Sequence, residues 1–409
     1  MVATQIPSRA LILDPGGMLA LSICRRLAAY GCEVEIFARP DTPAFFSRFP
    51  VSRRAAPPLG QPLAAPLQTL AFEHKRFDQV YVCSEDVLET LLKLELTEHW
   101  RGLLLPEPAI LEIVLSKNRT TDYLRRAGIN VPRTIVPRSD QELRYAAEEI
   151  GFPLLIKGER GESARNVRIV TEPSSLQTSY QEVKQAELEY GGKPAVQQFI
   201  RGIAYSVGGL FDHGQALRLC AHRKLLTYPA NGGVTVRGIT QRPQGLVEVA
   251  IKVFSALNYS GLGHVEFIKS YDDEQFWFIE VNPRIWGSFE LSIHAGVDLL
   301  SAYRGLVSGA KIEPNLSYRE NVYYHRIAKE VRLIRAHPTR VFGFIRDTLD
   351  PRVKSEFTWS DGSTFVRAGW RRLMRRRLEQ ASLWAWLQRP VSAPGHTSTT
   401  EHKSLGDGL

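Results

Sequence analysis

The sequence predicts a multidomain protein in which an α/β unit precedes a larger α+β unit, and three observations carry this reading. Its 409 residues, 44% of them apolar, suffice for two or three hydrophobic cores. Arg9 to Ala38 alternates strand, glycine-bearing turn, amphipathic helix and strand, which is how a parallel βαβ unit begins. Gly263 to Ser288 reads as two strand-like runs around a polar turn, the pattern of an antiparallel hairpin.

From the N-terminus, Arg9 to Leu13 reads as a short buried strand, Asp14-Pro15-Gly16-Gly17 as a turn, Leu19 to Tyr30 as a helix and Cys32 to Ala38 as a second strand. A Gly-Gly turn entering a helix N-terminus can bind an anion, but without a full G-x-G-x-x-G it reads as a tight connection. Pro57 to Pro66 is a Pro- and Ala-rich loop, and Phe77 to Val82 followed by Ser84-Glu85-Asp86 repeats the strand-to-helix pattern. Residues 1–110 thus form a small α/β domain.

Ser116-Lys117-Asn118 opens a helical stretch that ends at Ala127 to Pro132. Phe152 to Lys157 is a short buried strand followed by Gly158, Gly161 and the polar run Glu162 to Asn166. A strand, a lysine and a glycine-bearing loop can bring backbone N–H groups and one cation onto phosphates. Ala195 to Gly202 is another strand with a turn. Next, Cys220-Ala221-His222-Arg223-Lys224 is a basic strand that opens onto the polar loop Tyr228 to Thr235, an arrangement suited to an anionic substrate. Arg223 is the preferred partner of a carboxylate or acyl phosphate, because a planar guanidinium holds two oxygens at once. His222 and Lys224 read about equally well as solvated groups on a surface hairpin.

The hairpin holds the densest chemistry. Val265 to Lys269 and Phe276 to Val281 flank the turn Ser270 to Glu274. With that turn centred near Asp273, Glu266 falls opposite Glu280 with Cβ atoms roughly 5 Å apart, and period-2 alternation sets Asn282 and Arg284 on the face of Glu280. Two carboxylates that close repel, and the compensator that suits an all-oxygen cluster is a hard cation such as Mg²⁺, which takes its remaining ligands from water and phosphate. A solvated hairpin is the competing reading; Phe276, Trp277, Phe278, Ile279 and Val281 argue against it, since buried charges persist when paired or metal-bound.

Glu266, then Glu280-Val281-Asn282-Pro283-Arg284 and Gly287-Ser288, resemble the metal-binding signature of the ATP-grasp superfamily, carboxylate-amine ligase type. The resemblance implies a Rossmann-like domain over 1–110, an ATP-grasp fold of two α+β subdomains clamping ATP over 111–312, an extension over 313–366 and a basic helix with tail over 367–409. It implies ATP and Mg²⁺, with Mn²⁺ as a substitute: Glu266, Glu280 and Asn282 on the metal, Arg284 on the transferred phosphoryl group, and Lys117 and Lys157 on the phosphates. Backbone groups of Gln198, Phe199 and Ile200 would read the adenine edge. The chain departs from the family at Gln198, where Glu is usual, near Ala204, where a second acid is common, and at Ala164 and Arg165, where glycine or serine is frequent. The implied activity joins a small-molecule carboxylate to an amine through an acyl phosphate. A bicarbonate-activating carboxylase-type enzyme and a degenerate ATP-binding module without turnover are the alternatives.

Phe289 to Leu300 and Ala302 to Gly309 read as helices, with His294 in a packing or capping role. Strand-like Asn321 to Ala328 lies in a stretch of poor periodicity, and no feature sets an oligomeric state. In the last 43 residues Arg367, Arg371, Arg372, Arg375, Arg376 and Arg377 fall within eleven positions without an acid, accompanied by Trp370, Leu373, Trp384 and Trp386. A solvated helix with a disordered tail from about Pro390 is preferred here over a helix lying on an anionic membrane surface. Apolar runs fall short of the roughly 18 residues a spanning helix needs, and no signal h-region opens the chain. Cys24, Cys32, Cys83 and Cys220 lack metal or disulfide spacing, so a cytoplasmic setting is expected, and no nucleic-acid module is evident.

Overall fold

A computed structural model describes residues 8–98, 100–160, 166–188, 191–229, 232–358 and 362–387. Three sheets organise them. The first is parallel, in the order β3-β2-β1-β4, and comprises β1 (Arg9–Leu13), β2 (Glu33–Ala38), β3 (Ser52–Ala55) and β4 (Gln79–Val82). β1 and β2 are largely buried and joined by the helix Met18–Ala29, the parallel βαβ connection of a Rossmann-like unit. The turn after β1 holds no room for an outside anion at its helix: the Asp14 carboxylate accepts N–H bonds from Leu19 (2.9 Å) and Ala20 (2.8 Å) and fills that terminus itself. Gly17 sits at φ +66°, where a Cβ would meet the Thr42 side chain.

The second sheet is small, in the order β5-β8-β6-β7, from β5 (Thr134–Ile135), β6 (Leu154–Lys157), β7 (Val167–Val170) and β8 (Ala195–Gln198). Leu143, Ala146, Ile156, Val183 and Val196 give it a core of its own beneath the helices Asp140–Ile150 and Leu176–Glu187. The third sheet runs β13-β12-β9-β10-β11-β14-β15, from β9 (Gly202–Asp212), β10 (Gln215–Tyr228), β11 (Val234–Thr240), β12 (Gly261–Ser270), β13 (Phe276–Asn282), β14 (Tyr323–His325) and β15 (Val353–Ser355). Residues 313–366, unreadable by periodicity, therefore complete this sheet with two three-residue strands. The strand-like run Asn321 to Ala328 pairs only over β14, and a helix begins at Ile327.

One continuous apolar core joins Leu11, Leu13 and Val80 of the first sheet to Phe211 and Phe267 of the third and to Phe254 of the helix Leu246–Ala256. Tyr303 Oη donates to Val80 O (2.8 Å) and Ile285 N–H to Val82 O (3.2 Å), fixing the N-terminal unit against the large sheet. The two helices expected over Phe289 to Leu300 and Ala302 to Gly309 are present as Phe289–His294 and Leu299–Val307, the first ending six residues early and the second beginning three residues early. Gly296 at φ +92° follows the end of the first, and Asp298 caps the second by accepting from Ser301 N–H (3.1 Å).

The basic helix Gly362–Leu387 packs on the helix Pro43–Phe46, with Arg372 Nε donating to Asp41 O (3.0 Å) and Trp370 63% exposed. The side chains of Arg375, Arg376, Arg377, Trp384 and Trp386, and the tail from Pro390, lie outside the described residues. No described helix is long and apolar enough to cross a membrane. Cys24, Cys32, Cys83 and Cys220 are free thiols, all buried.

Candidate active site

A cavity of about 590 Å³ opens between the small sheet and the large one. It is lined by Lys117, Lys157, Gln198, Phe199, Ile200, Arg223, Glu266, Glu280, Asn282 and Arg284, so every candidate residue read from the sequence borders one space. The loop residues Gly161 to Arg165, and Ala230 with Asn231, lie outside the described residues.

Antiparallel pairing of β12 with β13 sets Glu266 directly against Glu280, and His264 against Asn282. Asn282 Nδ2 donates to Glu280 Oε1 (3.4 Å), while Asn282 Oδ1 accepts from Arg284 Nη2 (3.3 Å). Burial alone would raise the Glu280 pKa; Lys117, Lys157 and Lys224 outweigh it and hold this carboxyl below its ordinary range. Burial raises Glu266, which also feels Glu280, against the pull of Lys224.

Lys224 corrects the sequence reading. It is not a solvated hairpin cation: its side chain is 4% exposed, and Nζ donates to Glu266 Oε2 (2.5 Å) and Gly233 O (3.1 Å). His222 is likewise buried, with Nε2 3.2 Å from Ser288 Oγ and 3.4 Å from Thr235 Oγ1; desolvation, with Lys224 nearby, lowers it to about 3. Either side of a strand can carry a lysine, and the alternation of β10 did not say which face met the acids.

Arg223 lines the cavity with a buried Nε that has no hydrogen-bond partner among the described residues. Arg284 Nη2 also reaches Glu85 Oε1 (3.0 Å), and Arg160 Nη1 reaches Glu89 Oε1 (2.5 Å). Both acids belong to the helix Glu85–Lys93 of the N-terminal unit, one turn apart, so that unit grips an arginine from each lobe. No local pattern connects Glu85 to a residue 199 positions away.

Glu187 also escaped the sequence reading. Fully buried, it accepts from Asn166 Nδ2 (2.8 Å) and Arg160 N–H (3.0 Å), tying together the two ends of the glycine-bearing loop. A signal was present: Leu176, Tyr180, Val183 and Glu187 share one helical stripe, and an acid on an apolar stripe announces a buried partner. Gln198 is committed to Arg133, donating its N–H to Arg133 O (2.8 Å) and accepting Arg133 N–H at its side-chain oxygen (3.3 Å).

Lys157 ends β6 with Nζ donating to Ile279 O (3.0 Å). Desolvation lowers its pKa to about 8, against the opposing pull of Glu280. A lysine can hold a phosphate only as a cation, so the phosphate contact expected of Lys157 would be complete below that pH and lost as pH rises through it. Calorimetric ADP affinity should be about tenfold weaker near pH 9 than near pH 7, and Lys157→Arg, which stays charged, should flatten the profile.

Residues 114–288 match the family model described as the ATP-grasp domain, and the chain carries that domain. Pyruvate carboxylase of Staphylococcus aureus is 29% identical over 230 residues, covering 52% of this chain and 19% of that protein. Biotin carboxylase 1 of Bacillus subtilis is 24% identical over 243 residues, covering 56% of this chain and 53% of the relative. The chain thus spans about half the length of the one relative and a fifth of the other. Among solved structures, the biotin carboxylase domain of Hydrogenobacter thermophilus 2-oxoglutarate carboxylase, in complex with MgADP, ADP and bicarbonate, superposes with TM-score 0.65 at 19% identity, over 78% of this chain and 74% of that one. The L-amino acid ligase of Bacillus licheniformis superposes with TM-score 0.57 at 20% identity, over 74% and 75% of the two chains. These likenesses establish the ATP-grasp fold.

Proposed function

We propose that this protein is an ATP-dependent ligase that activates a small-molecule carboxylate as an acyl phosphate and joins it to an amine. The observation that supports this most is the convergence of Glu266, Glu280 and Asn282 with Lys117, Lys157, Arg223 and Arg284 around one cavity. Two carboxylates and an amide oxygen make a donor set that fits a hard divalent cation, and these three residues would hold Mg²⁺. When bound, Mg²⁺ neutralises and orients the polyphosphate of ATP.

The chain's own groups divide the remaining tasks. Lys117 and Lys157 hold phosphate oxygens, and Arg284 steadies the phosphoryl group in transfer. With the Gln198 N–H taken by Arg133 O, contacts to an adenine edge fall to the Gln198 carbonyl and the backbone of Phe199 and Ile200. Arg223 presents its guanidinium to the acid. A carboxylate oxygen bonds to the γ-phosphorus as the bond to the ADP oxygen breaks; the amine nitrogen then bonds to the acyl carbon, phosphate leaves and the amine loses a proton.

ADP formation by the purified protein with Mg²⁺-ATP, against a panel of acids paired with amines, tests the reading. Turnover should require both partners, and nucleotide binding without turnover across the panel would contradict it. The likeness to a biotin carboxylase domain solved with bicarbonate supports a second reading in which bicarbonate is the activated acid, so bicarbonate belongs in the panel. Arg223→Lys should raise the KM for the acid on the order of tenfold while leaving ADP affinity intact, because an ammonium cannot hold two carboxylate oxygens in one plane. An unchanged KM would remove Arg223 from the acid's site.

A further inference from the structure

We infer that His264 is a positioning residue for the metal site: its Nδ1 accepts a hydrogen bond from the Asn282 amide and so turns the amide's carbonyl oxygen to the Arg284 side, where it can serve as a ligand atom. The inference rests on the proposed metal-binding role of Glu266, Glu280 and Asn282.

Three neighbours fix the amide. Asn282 Nδ2 lies 3.3 Å from His264 Nδ1 and 3.4 Å from Glu280 Oε1, and Oδ1 lies 3.3 Å from Arg284 Nη2. Reversed, the amide would set its oxygen against a carboxylate and its NH₂ against a guanidinium. An NH₂ group can only donate, so His264 Nδ1 accepts and carries no proton. The ring is held for this task. It is 4% exposed, stands directly across the strand pair from Asn282, and stacks on Trp286 with centroids 5.5 Å apart and planes 13° from parallel.

His264 matters most when the cation binds. Glu280 would be drawn toward a bound metal, whereas His264 is an acceptor on the amide that the metal does not compete for, and it would keep the NH₂ away from the cation. An acceptor behind a metal ligand acts as outer-shell partners do, fixing the orientation of the ligand atom.

The test compares calorimetric binding of ADP with Mn²⁺ and of ADP in EDTA. His264→Phe keeps a ring against Trp286 and loses the acceptor; it should cut the metal-dependent gain in ADP affinity about tenfold and leave binding in EDTA unchanged. His264→Gln, which retains an acceptor, should recover most of the loss. In an Asn282→Asp background, His264→Phe should cost nothing further, because a carboxylate has an oxygen on either side. Equal losses in both backgrounds, or an equal loss in EDTA, would show a packing role and overturn the inference. If His264→Phe does not fold, His264→Val carries the same contrast. A wild-type protein whose ADP affinity gains nothing from Mn²⁺ would overturn the reading of the metal site and this role with it.

Discussion

Glu280→Gln should lower substrate-dependent ADP formation by on the order of 10²–10³-fold, the loss typical of removing one preorganised electrostatic contact from a reacting centre. Glu280 stands against Glu266, receives the Asn282 amide and is held ionised by Lys117, Lys157 and Lys224, so the substitution removes the charge around which the site is built. The fold should survive it. Glutamine keeps the shape, and losing one of two opposed carboxylates relieves repulsion across the strand pair. Steady-state ADP formation beside a thermal melt checks both halves: loss of turnover with an unchanged melt is expected, and near wild-type turnover would remove Glu280 from the chemistry.

Trp286→Ala should carry the largest cost in stability, about 3–5 kcal/mol by denaturant titration, as for other aromatic truncations in a core. Its side chain is 1% exposed, stacks on His264 and meets Phe289 edge-on at 5.2 Å. The ring also lies over Gly208, where a Cβ would come within 2.1 Å of it. Trp286 is therefore the floor on which β9, His264 and the following helix rest. A cost below about 1 kcal/mol would mean that the neighbours collapse into the space and that the ring holds nothing in place.

What could be read from the sequence divides along physical lines. The pairing of Glu266 with Glu280 was legible only in outline: a turn centred near Asp273 sets the two acids opposite, but the pairs nearer the turn, Phe267 with Phe278 and Lys269 with Phe276, would carry Glu266 onto Ile279, and an irregularity between Glu266 and Phe267 restores the match to Glu280. Lys157 at the end of β6 and Lys117 at the start of its helix were legible because each sits where an element terminates. Lys224 was not, since its partner belongs to β12 and only the assembled sheet brings β10 within reach of it. The grip of Glu85 and Glu89 on Arg284 and Arg160 depends on how the N-terminal unit packs, which no local pattern encodes. Strands as short as β14 and β15 carry too few residues for any periodicity, and their pairing comes from the sheet they complete. Glu187 was missed although its own helical stripe carried the signal of a buried acid.

The central claim is that a carboxylate oxygen takes the γ-phosphoryl group. Its most direct test is isotopic: supply the acid that most stimulates ADP formation with ¹⁸O in its carboxylate, and analyse the released phosphate by mass spectrometry. One ¹⁸O atom per ADP in that phosphate is the expected result. Phosphate that takes its new oxygen from water alone would contradict acyl-phosphate formation.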